Sequence, residues 1–256
     1  YHLDEPVHRQ YLIFLGDLLR ADFGSSLKHR ERTVNEIIAR GLPKSALLGG
    51  LALALALAIG CTAGLVSALM PGRIPDYAAM GGAILGISLP TFVIGPLLQM
   101  GFAMRLDWFP VAGWGEGVSP AHLALPAVTL ALPFGARIAR LMRAGMLDVM
   151  TQDYICVARA KGLREPTVIT RHALWGGVLP VVSFLGPAVA MILTGSLVVE
   201  KIFQIPGMGR EFVEGALNRD YPLVMATVIV YGTLIIVCNL FVDLAYALLD
   251  PRVRAE

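Results

Sequence analysis

The sequence predicts an all-α polytopic membrane protein with five helical spans, and three observations predict it. Hydrophobic residues make up 56% of the 256 positions and charged residues only 16%, against about a quarter charged in a soluble domain; mean hydropathy is +0.67. The apolar residues fall into runs long enough to cross a bilayer, which takes about 20 residues. Lys and Arg gather in one stretch between two of those runs instead of spreading evenly. The net charge of +2 is too small to point to nucleic acid. Cys61, Cys156 and Cys238 have no metal-ligand spacing and read as free thiols behaving as small hydrophobes.

Residues 1–45 do not form a span. Pro6 can open a helix, and Tyr11, Leu15, Leu18 and Leu19 recur at helical spacing. Thr33 and Glu36 fit a capping box, and Gly41 followed by Pro43 marks a helix end. The segment therefore reads as two short amphipathic helices lying on the outer face. Spans are expected near 46–69, 78–104, 121–141, 173–199 and 223–249. The first two carry no charge until Arg73 and Arg105. Gly60 with Gly64, and Gly82 with Gly86, have the GxxxG spacing that lets helix backbones approach closely, although glycine is also simply common in membrane helices. Trp108 and Trp114 in the following loop suit a membrane interface. The third span holds Pro126 and Pro133, which are tolerated where neighbouring helices or water satisfy the freed carbonyls, so it belongs inside a bundle.

Orientation follows from the basic stretch. Arg137, Arg140, Arg143, Arg159, Lys161, Arg164 and Arg171 lie between spans three and four, against Asp148, Asp153 and Glu165. That stretch is expected to be cytoplasmic. Parity then puts residues 1–45 outside and Arg252 and Arg254 inside. The chain begins at Tyr1 with no signal peptide, so an exported first segment implies a missing span before Tyr1 and six spans in all. The alternative is five spans with residues 1–45 cytoplasmic, which leaves the arginines outside.

No nucleotide-binding or metal motif is present: there is no GxxxxGK[ST], no GxGxxG and no HExxH. The spans are almost free of ionisable residues. Asp243, toward the cytoplasmic end of the last span, is expected to pair with a loop arginine, so an ion-coupled carrier is poorly supported. In the basic stretch, Asp153 is expected as an N-cap, 154–161 as a short helix, and Gly162 as its left-handed stop. Glu165 precedes Pro166, the expected first residue of the next helix. Ala158 and Ala160 are small enough for close approach. The stretch is either a docking surface for a partner or a basic loop held near anionic lipid.

The string Asp153-Tyr154 through Ala158-Arg159-Ala160-Lys161-Gly162-Leu163, ending in Arg171-His172-Ala173-Leu174, resembles the cytoplasmic loop of peptide-class ABC importer permeases. Ile205-Pro206-Gly207-Met208-Gly209 with Asn218-Arg219-Asp220-Tyr221 is similar to the outer loop of that family, and Asp243 with Leu249-Asp250-Pro251-Arg252-Val253-Arg254 to its last span and tail. Tyr1-His2-Leu3, Gln10-Tyr11, Asp22-Phe23-Gly24 and Thr33-Val34-Asn35 resemble the B-type subunit of oligopeptide permeases. The family's Glu-Ala-Ala motif is matched only by Ala158 and Gly162, since Cys156 and Val157 hold the first positions, and its Leu-Pro is displaced to Leu179-Pro180.

The resemblance implies a type I ABC importer transmembrane domain over residues 46–256, a bacterial inner-membrane location and a non-enzymatic pore subunit. It implies ATPase coupling through Tyr154, Ala158, Arg159, Ala160, Lys161, Gly162 and Leu163. The implied partners are a second homologous permease, two ATPase subunits or domains carrying ATP and Mg, an extracytoplasmic substrate-binding protein, membrane lipid and a peptide substrate. No cofactor is implied on this chain. A weakly polar translocation path is expected near Pro126, Thr129, Pro133 and Ser183, with Pro180 and Pro187 contributing; these prolines equally serve as packing kinks. Dipeptides, nickel chelates or another solute remain alternative cargoes, and an ion-coupled secondary transporter is the alternative of another class.

Overall fold

A computed structural model describes residues 6–28, 32–115, 117 and 119–249. Tyr1-His2-Leu3 and the tail from Asp250 to Arg254 lie outside the described residues. The described chain is helical, and its helices are ordered by one central member. Helix α5 (Pro120–Met150) packs against α2 (Val34–Leu69), α3 (Ile74–Ser88), α4 (Thr91–Leu98) and α8 (Leu174–Ile202). It buries more of itself than the other long helices do, as its prolines require. Helix α10 (Tyr221–Leu249) closes the bundle against α8 and α9 (Met208–Leu217).

Small residues set the closest approach. A Cβ on Gly60 would lie 2.6 Å from the Gly135 carbonyl oxygen, and one on Gly64 would lie 2.5 Å from that of Ala139. The first GxxxG pair thus lays α2 directly on the α5 backbone, the packing that lipid-embedded helices favour. Of the second pair, Gly86 meets the Ala136 methyl while Gly82 meets nothing.

The amino-terminal segment differs from expectation. Helix α1 (Val7–Leu19) follows Pro6. Thr33 caps the next helix by accepting from the Glu36 amide, but Gly41 and Pro43 do not end it: α2 runs unbroken for 36 residues with Pro43 inside. The second outer helix and the first span are one element, and a boundary at residue 45 falls within it. Glycine at 41 answers a contact, because a Cβ there would lie 2.9 Å from the Met208 amide nitrogen. Val34, Ile37, Ile38 and Ser45 are buried on the same face, and that packing outweighs the proline's lost hydrogen bond. The quoted strings around Phe23 and Asn35 interlock: the Phe23 amide donates to Asn35 Oδ1 at 2.9 Å, and Asn35 Nδ2 donates to the Ala21 carbonyl at 2.6 Å.

The second expected span is also not one rod. It breaks at Leu89–Pro90 into α3 and α4, bent by 106°, with α4 continuing as a π-helical turn over Gln99–Arg105. Pro90 forces the preceding residue into extended backbone, and Leu89 adopts φ −88°, ψ 123°. Among the described residues four helices are long and apolar enough to cross a membrane, or five if the bent pair counts as one. Arg137, Arg140 and Arg143 lie on α5, not in a loop, because the helix continues to Met150.

Candidate functional site: the two ends of the bundle

At one end of the bundle, α5 turns through Thr151 and Gln152 into α6 (Asp153–Ala160). Asp153 is the first helical residue and not the cap; Gln152 holds the cap position without a side-chain bond. Ile155 is fully buried and Ala158 is 4% exposed, packed in the core with Val149, Val168 and Ala173. Ala158 therefore holds the helix to its own bundle and is not open to a partner. The outward face carries Val157, Arg159, Ala160 and Lys161, together with Cys156, which is exposed and not packed as the small hydrophobe expected. Tyr154 is half-exposed, with its hydroxyl 3.3 Å from where a Cβ on Gly176 of α8 would sit.

Helix α6 stops as the sequence predicts. Gly162 has φ +75°, its amide donates to the Arg159 carbonyl, and the Leu163 amide donates to that of Ala158. This pair of bonds is a Schellman motif. A short helix α7 (Glu165–Thr167), with Pro166 second and not first, leads through a π-helical turn at Val168–Ala173 into α8. Arg159 spans the elbow in a two-pronged pair with Glu165, at 2.7 and 3.2 Å. The Glu165 carboxylate raises the Arg159 guanidinium above its ordinary range, but both side chains are well exposed, so the pair stabilises little.

Just above α6, Asp76 accepts from Arg143 Nε at 2.8 Å and Nη2 at 2.9 Å, from the Gly72 amide at 2.9 Å and from the Ser67 hydroxyl. Asp76 is buried and ties the ends of α2, α3 and α5 together. Arg143 is a residue of α5 and not a loop charge, and once α5 extends to Met150, Asp76, a single acid between two apolar runs, is the signal in the sequence that finds its partner.

At the opposite end, Glu200 near the end of α8 is fully buried. Its Oε2 accepts from the amides of Gly209 at 2.9 Å and Arg210 at 3.1 Å, while the Met208 amide donates to Ser45 Oγ at 2.8 Å. These are the first amides of α9, which have no partner within their own helix. Asp220, also buried, accepts from the Ser26 hydroxyl and the Leu27 amide. The string from Asn218 to Tyr221 thereby anchors the segment before α2. Trp114 lies beside this end, with Lys44 Nζ 6.0 Å from its ring centroid, and Gly113 donates to the Phe203 carbonyl.

The expected path residues are not brought to one surface. Thr129 is fully buried and its hydroxyl donates back to the Leu125 carbonyl at 2.7 Å. Pro126 is buried, Pro133 and Pro180 are half-buried, and Ser183 and Pro187 are exposed on α8. Thr129 lines no opening here because α5 turns that face into the core. Asp243 is exposed and has no ion pair among the described residues, contrary to the expected pairing.

The chain matches the family described as binding-protein-dependent transport system inner membrane component over residues 60–255. The oligopeptide transport system permease protein OppB of Haemophilus influenzae is 44% identical over 254 residues, covering 99% of this chain and 83% of that protein. The dipeptide transport system permease protein DppB of Bacillus subtilis is 47% identical over 254 residues, covering 99% and 82%. A chain of the MetNI methionine ABC transporter superposes with a TM-score of 0.69 at 14% identity, covering 84% of this chain and 96% of that one; at that identity the likeness is one of fold.

Proposed function

The chain belongs to the family of binding-protein-dependent transport system inner membrane components and is a permease subunit of an ABC importer, and we propose that it imports oligopeptides by coupling to separate ATPase subunits through α6. The observation that carries the coupling is the geometry of α6. Ile155 and Ala158 fix its inner face to the bundle, and the Gly162 elbow holds its outer face clear of it. A rigid surface joined to both α5 and α8 passes a push from a docked subunit to two helices at once. Val157, 53% exposed, joins Tyr154, Arg159, Ala160, Lys161, Gly162 and Leu163 as the surface an ATPase contacts. The α6 end is then cytoplasmic, and the α9 end receives cargo from a binding protein. A second permease completes the path, and ATP and Mg belong to the ATPases.

The cargo is oligopeptide by likeness to OppB relatives; the comparable identity of a DppB protein makes dipeptides the second reading. The test replaces Gly162 with Val. Nothing stands within 4 Å of a Cβ there, so the variant strains only the left-handed backbone, by about 1–2 kcal/mol. Gly162→Val and Ala160→Glu should insert normally, co-purify less ATPase and lose cargo-stimulated ATP hydrolysis in nanodiscs. Wild-type values in both variants would sink α6 as the coupling element. Uptake of di-, tri- and pentapeptides by the wild-type transporter separates the two cargo readings.

A further inference from the structure

Arg137 is a charge that the packing of α5 does not absorb. The helix buries Gly135, Ala136, Ile138 and Ala139 and leaves Arg137, Arg140 and Ala144 on an exposed stripe. The depth of Arg137 is set by α2, because a Cβ on Gly60 would lie 2.6 Å from the Gly135 oxygen and 2.7 Å from Ile138 Cβ. Gly60 precedes the α2 terminus at Leu69 by about two and a half turns, so Arg137 lies roughly 13 Å inside the α6 end of that span. An arginine at such depth faces a water-filled cavity or a polar partner and not lipid. It does not reach back toward the α6 end: its guanidinium lies over the Phe184 ring of α8, 5.5 Å from the centroid, a cation–π arrangement that fixes its height.

Two more polar groups stand at that height. Ser183 is exposed beside Phe184. Helix α10 passes the same level, because a Cβ on Gly186 would lie 2.7 Å from Asn239 Oδ1 and 3.7 Å from Val242 Cγ1. Asp243 is the next residue, exposed and outside every ion pair of the described residues. One cation, one hydroxyl and one anion thus come from α5, α8 and α10 at one depth, close to the Asn239 amide.

We propose that Arg137, Ser183 and Asp243 form a polar station within the translocation path that holds the peptide main chain. The Arg137 guanidinium takes carboxylate and carbonyl oxygens, and the Asp243 carboxylate takes ammonium and amide N–H groups. Main-chain groups are common to all peptides, so opposite charges placed apart grip a zwitterion without selecting a side chain. The proposal rests on the peptide-import reading.

The test uses the complete transporter in proteoliposomes, with binding protein and with trialanine, trialanine amide or N-acetyl-trialanine as cargo. Arg137→Gln should reduce trialanine uptake at least fivefold and change amide uptake less than twofold. Asp243→Asn should reduce trialanine and its amide and spare the N-acetyl peptide. Arg137→Lys should recover most trialanine uptake. Equal loss for all three peptides, no loss for any, or loss of the second permease from purified Arg137→Gln transporter would overturn the station. A second readout does not depend on the binding protein's choice among blocked peptides: Ser183→Cys, with the native cysteines replaced by Ser, should react with a small methanethiosulfonate and be protected by trialanine during ATP turnover. An unreactive or unprotected thiol also overturns the station. Wild-type transporter that takes up no trialanine overturns the peptide reading as well, whereas normal wild-type uptake with unselective variants overturns the station alone.

Discussion

At Glu200 a carboxylate sits in a fully buried position and faces the first amides of α9. A helix N-terminus favours a negative partner through its unpaired N–H groups and its dipole. The glycines of Pro206-Gly207-Met208-Gly209 follow from the same contact, since a Cβ on Gly209 would lie 2.9 Å from Glu200 Oε2 and one on Gly207 would overlap that oxygen. Glu200→Ala removes Oε2, the one oxygen that accepts from both amides, and leaves the two amides unpaired, at about 1–3 kcal/mol each. Glu200→Gln keeps an oxygen in place. Thermal unfolding in nanodiscs should therefore show a clear loss for Glu200→Ala and a much smaller one for Glu200→Gln. Limited proteolysis between 203 and 220 should speed up in the alanine variant only; equal behaviour of the two variants would remove Glu200 as the anchor of α9.

Among the elements, α9 is held by charge on its outer side as well as by Glu200 beneath. Glu214 accepts from Arg210 Nε at 2.8 Å, one turn back on the helix, and from Lys201 Nζ at 3.3 Å. The hydrogen bond from Arg210, more than the charge of Lys201, holds the Glu214 carboxyl below its ordinary range. A carboxyl lowered in the folded state stabilises that state above its unfolded pKa, about 4.3, and the gain disappears as pH falls through the folded value. The difference in unfolding temperature between wild type and Glu214→Gln should be constant from pH 7 to about 5 and shrink toward zero below that. A difference undiminished at pH 3 would mean the carboxylate charge is not what holds α9. The elements also divide by how readable they are. The long apolar runs, the Thr33 cap, the Gly60 and Gly64 approach and the Gly162 elbow are local patterns, and each is legible from neighbouring residues alone. The continuation of α2 through Pro43, the inward face of Thr129 and the burial of Ala158 depend on partners far along the chain: Met208 beneath Gly41, Phe203 and Ile202 near Gly95 beside Thr129, and Val168 under α6. The break at Pro90 is also a local signal, because proline restricts the residue before it, but the apolar run continues across it without a charge.

Over the whole molecule, the two ends differ in chemistry. One carries α6 with Arg159, Lys161, Arg164 and Arg171 exposed; the other carries α1, α9 and two tryptophans. Basic residues near short connections mark the cytoplasmic side, so the α6 end should be inside and α1 outside. The chain supplies its own reporter, because Cys156 is exposed on α6 whereas Cys61 and Cys238 are half-buried in the bundle. In whole cells a membrane-impermeant maleimide should leave Cys156 unlabelled and should label Asp17→Cys on α1, since Asp17 is exposed. After lysis Cys156 should react in the isolated permease and react several-fold more slowly once ATPase subunits are bound, because a subunit seated on Val157 and Ala160 covers the neighbouring thiol. Cys156→Ser should abolish the lysis-dependent signal and so assign it. Labelling of Cys156 in intact cells would invert the topology, while labelling unchanged by bound ATPases would leave the topology standing and move the docking surface away from α6.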